Sequence, residues 1–167
     1  MLWGCDKLTP PTRRSRVITV IAANVHLILG NPNPYRVQQL SYVLTSIRKF
    51  SRKGDTVVIA GDFNVDKADE REGCFELLEK EGYVDSASWH VEKEGGGTSL
   101  ETWSLGNKYV GENEEDLGSR LDYVWIKSGG EGGQEVKGMD HQVIFNGGEE
   151  GFVSDHYGVK AIFRIGT

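Results

Sequence analysis

Apolar positions along the chain fall into blocks whose spacing changes, and each change marks an element. Val17 to Ala23 (VITVIAA) is β-branched and nearly unbroken in apolar character, the pattern of a central strand covered on both faces. Further on, Val37, Leu40, Leu44, Ile47 and Phe50 recur three and four apart, which predicts an amphipathic helix with Asn33 as its cap and Pro34 as its first residue. Thr56 to Ala60 (TVVIA) is a second short buried strand, so strand, helix and strand read as parallel strands joined by a crossover. A further helix is predicted over Glu70 to Glu81, with Phe75, Leu77 and Leu78 inward and Gly82 as its stop. Leu121 to Ile126 (LDYVWI), Val136 to Phe145 and Gly158 to Ile165 complete the set of strand candidates.

Between these blocks the period disappears. Residues 1–16, with Pro10, Pro11, Arg13, Arg14 and Arg16, read as an irregular basic lead-in to one domain over residues 17–167. From His90 to Gly118 the chain holds Gly95 to Gly97, a Thr98 to Trp103 stretch and an acidic run from Glu112 to Asp116, which is loop chemistry. Loops of that size in compact domains are often functional. Trp103 is read as a packed residue in preference to a substrate edge, and the acidic run as a solvated loop because it lacks a Ca²⁺-loop spacing.

Composition narrows the picture. With 167 residues, 38% of them apolar and 26% charged, the chain has the material for one folded domain. A formal charge of −6 argues against broad adhesion to nucleic acid or anionic membrane through a basic surface. A bound divalent cation would still invert the charge that a phosphodiester meets. Two cysteines, Cys5 and Cys74, make a disulfide framework an unexpected reading, so a reducing compartment is the bland expectation, with the cytoplasm as a default and not an inference. No apolar run approaches the roughly 18 to 20 residues of a membrane span.

The candidate chemistry stands at strand ends: Asn24 and His26, Asp62 and Asn64, and Asp155 and His156, with Asp122 inside a fourth strand. In sheets with crossover connections such ends gather at one edge. Hydrolysing a phosphodiester takes a polarising cation, an activated in-line water and a proton donor for the leaving oxygen, and carboxylates, amides and imidazoles can supply these. Asp62 and Asn64, two apart, point to one side of an extended segment, so one can orient water while the other donates to a phosphoryl oxygen. Asp155 offers a hard oxygen ligand for Mg²⁺ beside the acid/base His156. The bland readings are a turn at Asp62 and Asn64, a satisfied histidine at His26 and an exposed loop pair at Asp155 and His156. Asp122 in an apolar strand requires a partner, for which Arg120, His156 or a backbone amide are candidates, His156 being preferred. His90 and His141 lack such context and are read as surface residues.

Four stretches in order, Asn24-Val25-His26-Leu27, Gly61-Asp62-Phe63-Asn64, Arg120-Leu121-Asp122-Tyr123 and Ser154-Asp155-His156, resemble the motifs of the endonuclease/exonuclease/phosphatase superfamily. That group includes type I deoxyribonuclease, abasic-site endonucleases, neutral sphingomyelinases and poly(A)-shortening deadenylases. The resemblance runs from about Val17 to Phe163 and is to the family's C-terminal half. It implies an α/β (α+β) fold that is one half of a four-layer αββα sandwich, with a mixed sheet and helices on one face. It implies a Mg²⁺-dependent phosphodiesterase, with Mn²⁺ as a substitute metal, acting on nucleic acid or a phospholipid head group. In those terms His26 contacts or protonates a phosphoryl or leaving oxygen, Asp62 positions the nucleophilic water, Asp122 orients His156, and Asn24, His26 and Asn64 hold the phosphate. Asp155, together with Asp62, holds the metal.

The family's first half normally supplies an early-strand Asn and a Glu that is a principal Mg²⁺ ligand, and nothing before Val17 matches either. The expectation is therefore an open inner sheet face and one of three origins, a fragment or truncated gene model, a partner chain that supplies the other half, or a homodimer whose two sheets pack together, with the chain alone weakly active at best. The alternative is a degenerate relative that acts as a non-catalytic binding or assembly module.

Overall fold

The computed structural model describes residues 18–29, 33–65, 68–89, 100–110, 118–129, 133, 135–147 and 151–166. The basic lead-in, His90, Gly95 to Gly97, the acidic run from Glu112 to Asp116 and the side chain of Asn33 lie outside the described residues.

Strand β1 (Val20–His26) pairs in parallel with β2 (Thr56–Asp62) in a register running from Val20 opposite Thr56 to His26 opposite Asp62. Helix α1 (Asn33–Phe50) makes the crossover between them. β2 pairs antiparallel with β4 (Asp122–Lys127), and the two-residue β3 (Val84–Asp85) completes a four-stranded mixed sheet of order β1-β2-β4-β3. The parallel pair follows from the crossover; the antiparallel partner makes the sheet mixed.

Both helices lie on one face of this sheet. Leu40, Leu44 and Ile47 of α1 and Cys74 and Leu78 of α2 (Ala68–Lys80) pack in one cluster with Val25, Val57, Ile59, Tyr123 and Trp125. Phe50 departs from the expected stripe and is 78% exposed, because it lies about 80° round the helix from Leu40 at the 3.6-residue repeat. The α2 stop at Gly82 is as expected: with φ at +83°, its N–H donates to Glu79 and that of Tyr83 to Leu78, satisfying the last carbonyls.

Two strand expectations are corrected. Among the described residues β1 is not a central strand but stands at one end of the sheet order, and it begins at Val20 and continues through His26. Its residues alternate because only one of its faces is covered: Ile21, Ala23 and Val25 face the helices, while Val20, Ala22, Asn24 and His26 are exposed on the other side. The last two strands, β5 (Glu135–Ile144) and β6 (Gly158–Gly166), do not join the sheet but form their own antiparallel hairpin.

A 3₁₀ turn at Ser86–Trp89 and the hairpin pack over β4 on the face away from the helices, and there Val124 and Ile126 are buried. Trp89 lies flat against β5 at Gly138, where a Cβ would stand 1.8 Å from the indole, so glycine is required by the approach of the ring. The inner face is thus partly covered. It is open on the β1 side, where Ile18 and Val20 are 44% and 43% exposed.

Candidate active site

The register of the sheet brings three chemical residues into one row. His26 on β1 is opposite Asp62 on β2, and Asp62 is opposite Asp122 on β4, all at the strand ends on the face away from the helices. His156, two residues before β6, closes the row with its Nδ1 at 2.8 Å from Asp122 Oδ2. On the other side His26 Nε2 lies 3.5 Å from Asp62 Oδ2. The structure therefore gathers His26, Asp62, Asp122 and His156, four residues that are up to 130 positions apart, as 156 minus 26 shows.

Local chain geometry explains how each is held. Gly61 has φ at +132°, and a Cβ there would stand 2.0 Å from the Val25 carbonyl oxygen, so only glycine lets β2 run this close to β1 just ahead of Asp62. Asn64 follows in the left-handed region with φ at +50°, and its N–H donates to Asp62 Oδ1 at 2.8 Å. The Asn64 side chain is 5% exposed and its Nδ2 donates to the Leu27 carbonyl at 2.8 Å, tying the end of β2 to the end of β1. Leu27 and Ile28 are fastened to α1 in turn, since Arg36 Nε donates to the Ile28 carbonyl and the Ile28 N–H donates to Gln39 Oε1. Asn24 is exposed two residues before His26 on the same side of β1.

Electrostatics follow from this crowding. Burial pushes the Asp62 carboxyl above its usual range and Asp122 adds to that; the Asn64 N–H and the two imidazoles oppose it. The Asp122 hydrogen bond holds the His156 imidazole above its ordinary value against the opposing effect of burial. Asp122 thereby has the partner that a carboxylate inside an apolar strand requires, and it is His156. Arg120 goes elsewhere: it binds Asp85 through two hydrogen bonds of 2.7 and 2.8 Å and lies over the Tyr123 ring.

Asp155 is exposed and accepts a hydrogen bond from Ser154 Oγ at 3.0 Å. Among the described residues no group of three or more His, Cys, Asp or Glu is close enough to hold a metal by itself. Mg²⁺ sites commonly use one or two carboxylates and complete the shell with water and substrate phosphate oxygens. Asp62 and Asp155 are carboxylate donors of that type, and both act electrostatically on His156.

Several residues of the site carried no signal in the spacing. Thr102, fully buried, accepts the N–H groups of Leu121 and Asp122 on its hydroxyl, and its carbonyl accepts the Tyr157 N–H. Trp103 forms antiparallel bridges with both Ser119 and His156, so the aperiodic stretch around it joins the Asp122 and His156 segments. The polar pair before a tryptophan, Glu101 and Thr102, was the one hint available. His141, expected at the surface, is 1% exposed and its Nδ1 pairs with Ser86 Oγ at 2.9 Å, joining the 3₁₀ turn to β5.

Residues 2–156 match the profile described as the Endonuclease/Exonuclease/phosphatase family, a span that starts ahead of Val17. Among solved structures, TDP2 from D. rerio complexed with a single-strand DNA product matches with a TM-score of 0.66 and 22% identity over 86% of this chain and 55% of that one. Truncated Caenorhabditis elegans TDP2 matches with a TM-score of 0.58 and 19% identity over 87% and 54% of the two chains. The mannosyl-6-phosphatase of Bacteroides thetaiotaomicron matches with a TM-score of 0.58 and 19% identity over 84% and 49%. These likenesses are of fold, and the chain spans about half the length of each of these structures. No curated protein is similar enough to count as a match.

Proposed function

The chain belongs to the endonuclease/exonuclease/phosphatase family, and on that premise we propose that it is a Mg²⁺-dependent phosphodiester hydrolase acting on nucleic acid or a phospholipid head group. The observation that carries this reading is the 2.8 Å Asp122 to His156 pair standing beside Asp62 in one row of strand ends. Asp62, with its carboxyl biased toward taking up a proton, positions the attacking water and accepts its proton. His156, oriented by Asp122 and biased toward its protonated form, stabilises the developing charge and donates to oxygen. His26, 76% exposed at the mouth, contacts a phosphoryl or leaving oxygen, and Asn24 with the remaining amide hydrogen of Asn64 holds the phosphate. Mg²⁺, or Mn²⁺ in its place, held by Asp155 and Asp62, would neutralise charge on the nonbridging oxygens.

The exposed Ile18 and Val20 side of β1 supports an assembly in which a second copy or a partner chain covers that face and completes the site. The structures matched leave the substrate class open, since one is of a complex with a single-strand DNA product and another is of a mannosyl-6-phosphatase.

The test is hydrolysis of bis(4-nitrophenyl) phosphate by the purified chain with Mg²⁺, with Asp62→Ala and His156→Ala alongside and the mass measured by light scattering. Loss of turnover by about 10² to 10⁴ in each variant is expected. A folded chain without metal-dependent turnover in any assembled form would discard the hydrolase reading in favour of a binding module.

A further inference from the structure

We propose that Asn107 is a positioning residue that holds the Ser154-Asp155-His156 segment against the end of β4. Asn107 is 1% exposed, although it lies in a loop that has no apolar period. All of its polar groups are engaged. Its N–H donates to the Ser104 carbonyl at 2.9 Å and its carbonyl accepts the Val110 N–H at 3.0 Å. Oδ1 accepts the Tyr109 N–H at 3.1 Å, which closes the loop on itself. Nδ2 then reaches 47 residues along the chain to donate to the Ser154 carbonyl at 2.7 Å.

Ser154 passes this anchorage to both residues that follow it. Its hydroxyl donates to Asp155 Oδ1 at 3.0 Å and accepts the His156 N–H at 3.3 Å. The far end of the same segment is fixed by the Tyr157 N–H, which donates to the Thr102 carbonyl at 2.6 Å. Asp155 and His156 are thus stretched between two ties from one loop, Asn107 in front and Thr102 behind. The hydrogen bond from His156 to Asp122 depends on both, because a ring carried on an unanchored loop would lose rotational order to entropy.

An Asn that served only its own loop would need Oδ1 and no long-range donor. Replacing Nδ2 by oxygen separates the two roles: Asn107→Asp keeps the acceptor for Tyr109 and sets an oxygen against the Ser154 carbonyl. The kinetic consequence rests on the hydrolase reading; the structural consequence does not.

The experiment is hydrogen exchange followed by mass spectrometry on the full chain, comparing wild type with Asn107→Asp and Asn107→Ala, together with kcat and KM on bis(4-nitrophenyl) phosphate with Mg²⁺. Exchange over residues 152–158 should quicken by about tenfold or more in both variants, while exchange in the α1 and β2 peptides stays as in wild type. In a chain that turns over, kcat should fall by about tenfold to a hundredfold with KM unchanged. Unchanged exchange over residues 152–158, a uniform rise across all peptides in both variants, or a raised KM with kcat intact would each overturn the proposal. A wild-type chain without turnover counts against the hydrolase reading alone, and the exchange result still decides the role of Asn107.

Discussion

Two carboxylates placed opposite each other on neighbouring strands repel, and at Asp62 that repulsion adds to the larger effect of burial. Asp62 and Asp122 share a register position; Asp62, more enclosed and next to a like charge, takes up protons above the usual carboxylate range. Asp122 is compensated by the imidazole it binds, and that imidazole is held above its ordinary value. The signs give a pH profile. If Asp62 must be ionised and His156 protonated, activity rises as pH climbs through the raised Asp62 value and falls as pH climbs through the raised His156 value. Asp122→Asn removes the group that raises His156, so the alkaline fall should move to lower pH, with a drop in kcat at the optimum. A profile of kcat against pH for both proteins checks this, and an unmoved alkaline limb would deny Asp122 its assigned part. The need of Asp122 for a partner was legible, because an uncompensated carboxylate in an apolar strand is costly. That the Asn64 amide spends itself partly on Leu27 was not, because it depends on the crossover bringing residues 37 positions apart together.

At the scale of elements, the hairpin of β5 and β6 matters because His156 leads directly into it. Its placement over β4 rests on Trp89 filling the space beside Gly138, on the Trp89 to Phe163 ring contact and on the buried pair of Ser86 and His141. Gly138→Ala would put a methyl into the indole, and repacking of that kind costs about 1–3 kcal/mol. A thermal melt should show the loss, and kcat should fall further than the stability change explains, because the hairpin carries His156. An unaltered melt would mean that the ring moves aside freely. The helices, the crossover and the Gly82 stop were readable from local periodicity and capping chemistry. The edge position of β1 was not: a run of β-branched and alanine residues has the same look at the edge of a sheet as inside it, and only the long-range pairing partners set the difference.

For the whole molecule, the proposed function would set an acidic chain of net charge −6 against an anionic substrate. A metal at Asp155 and Asp62 would reverse the local sign without altering the core, which is built from Val57, Ile59, Leu40, Tyr123 and their neighbours. Removing divalent ions with a chelator should therefore abolish turnover and leave the melting temperature within a few degrees, because an ion held at a few times its Kd contributes only about 1 kcal/mol to stability. Restored Mg²⁺ should restore the rate. Unfolding on chelation would instead show that the ion is structural.

The sequence by itself determined the helices, the parallel crossover, the inward residues of each helix apart from Phe50, and the order of the four motifs, because periods of 3.6 and 2 and the chemistry of caps are local properties of the chain. It also carried the family, since motif order survives without any geometry. Only the tertiary structure decided that β1 is an edge, that β5 and β6 stand apart from the sheet, that His141 is buried, and that Thr102 and Asn107 from an aperiodic loop hold the Asp122 and His156 segments together. Those facts rest on contacts between residues far apart in the chain, where no local pattern records which partner a strand edge or a buried amide will meet.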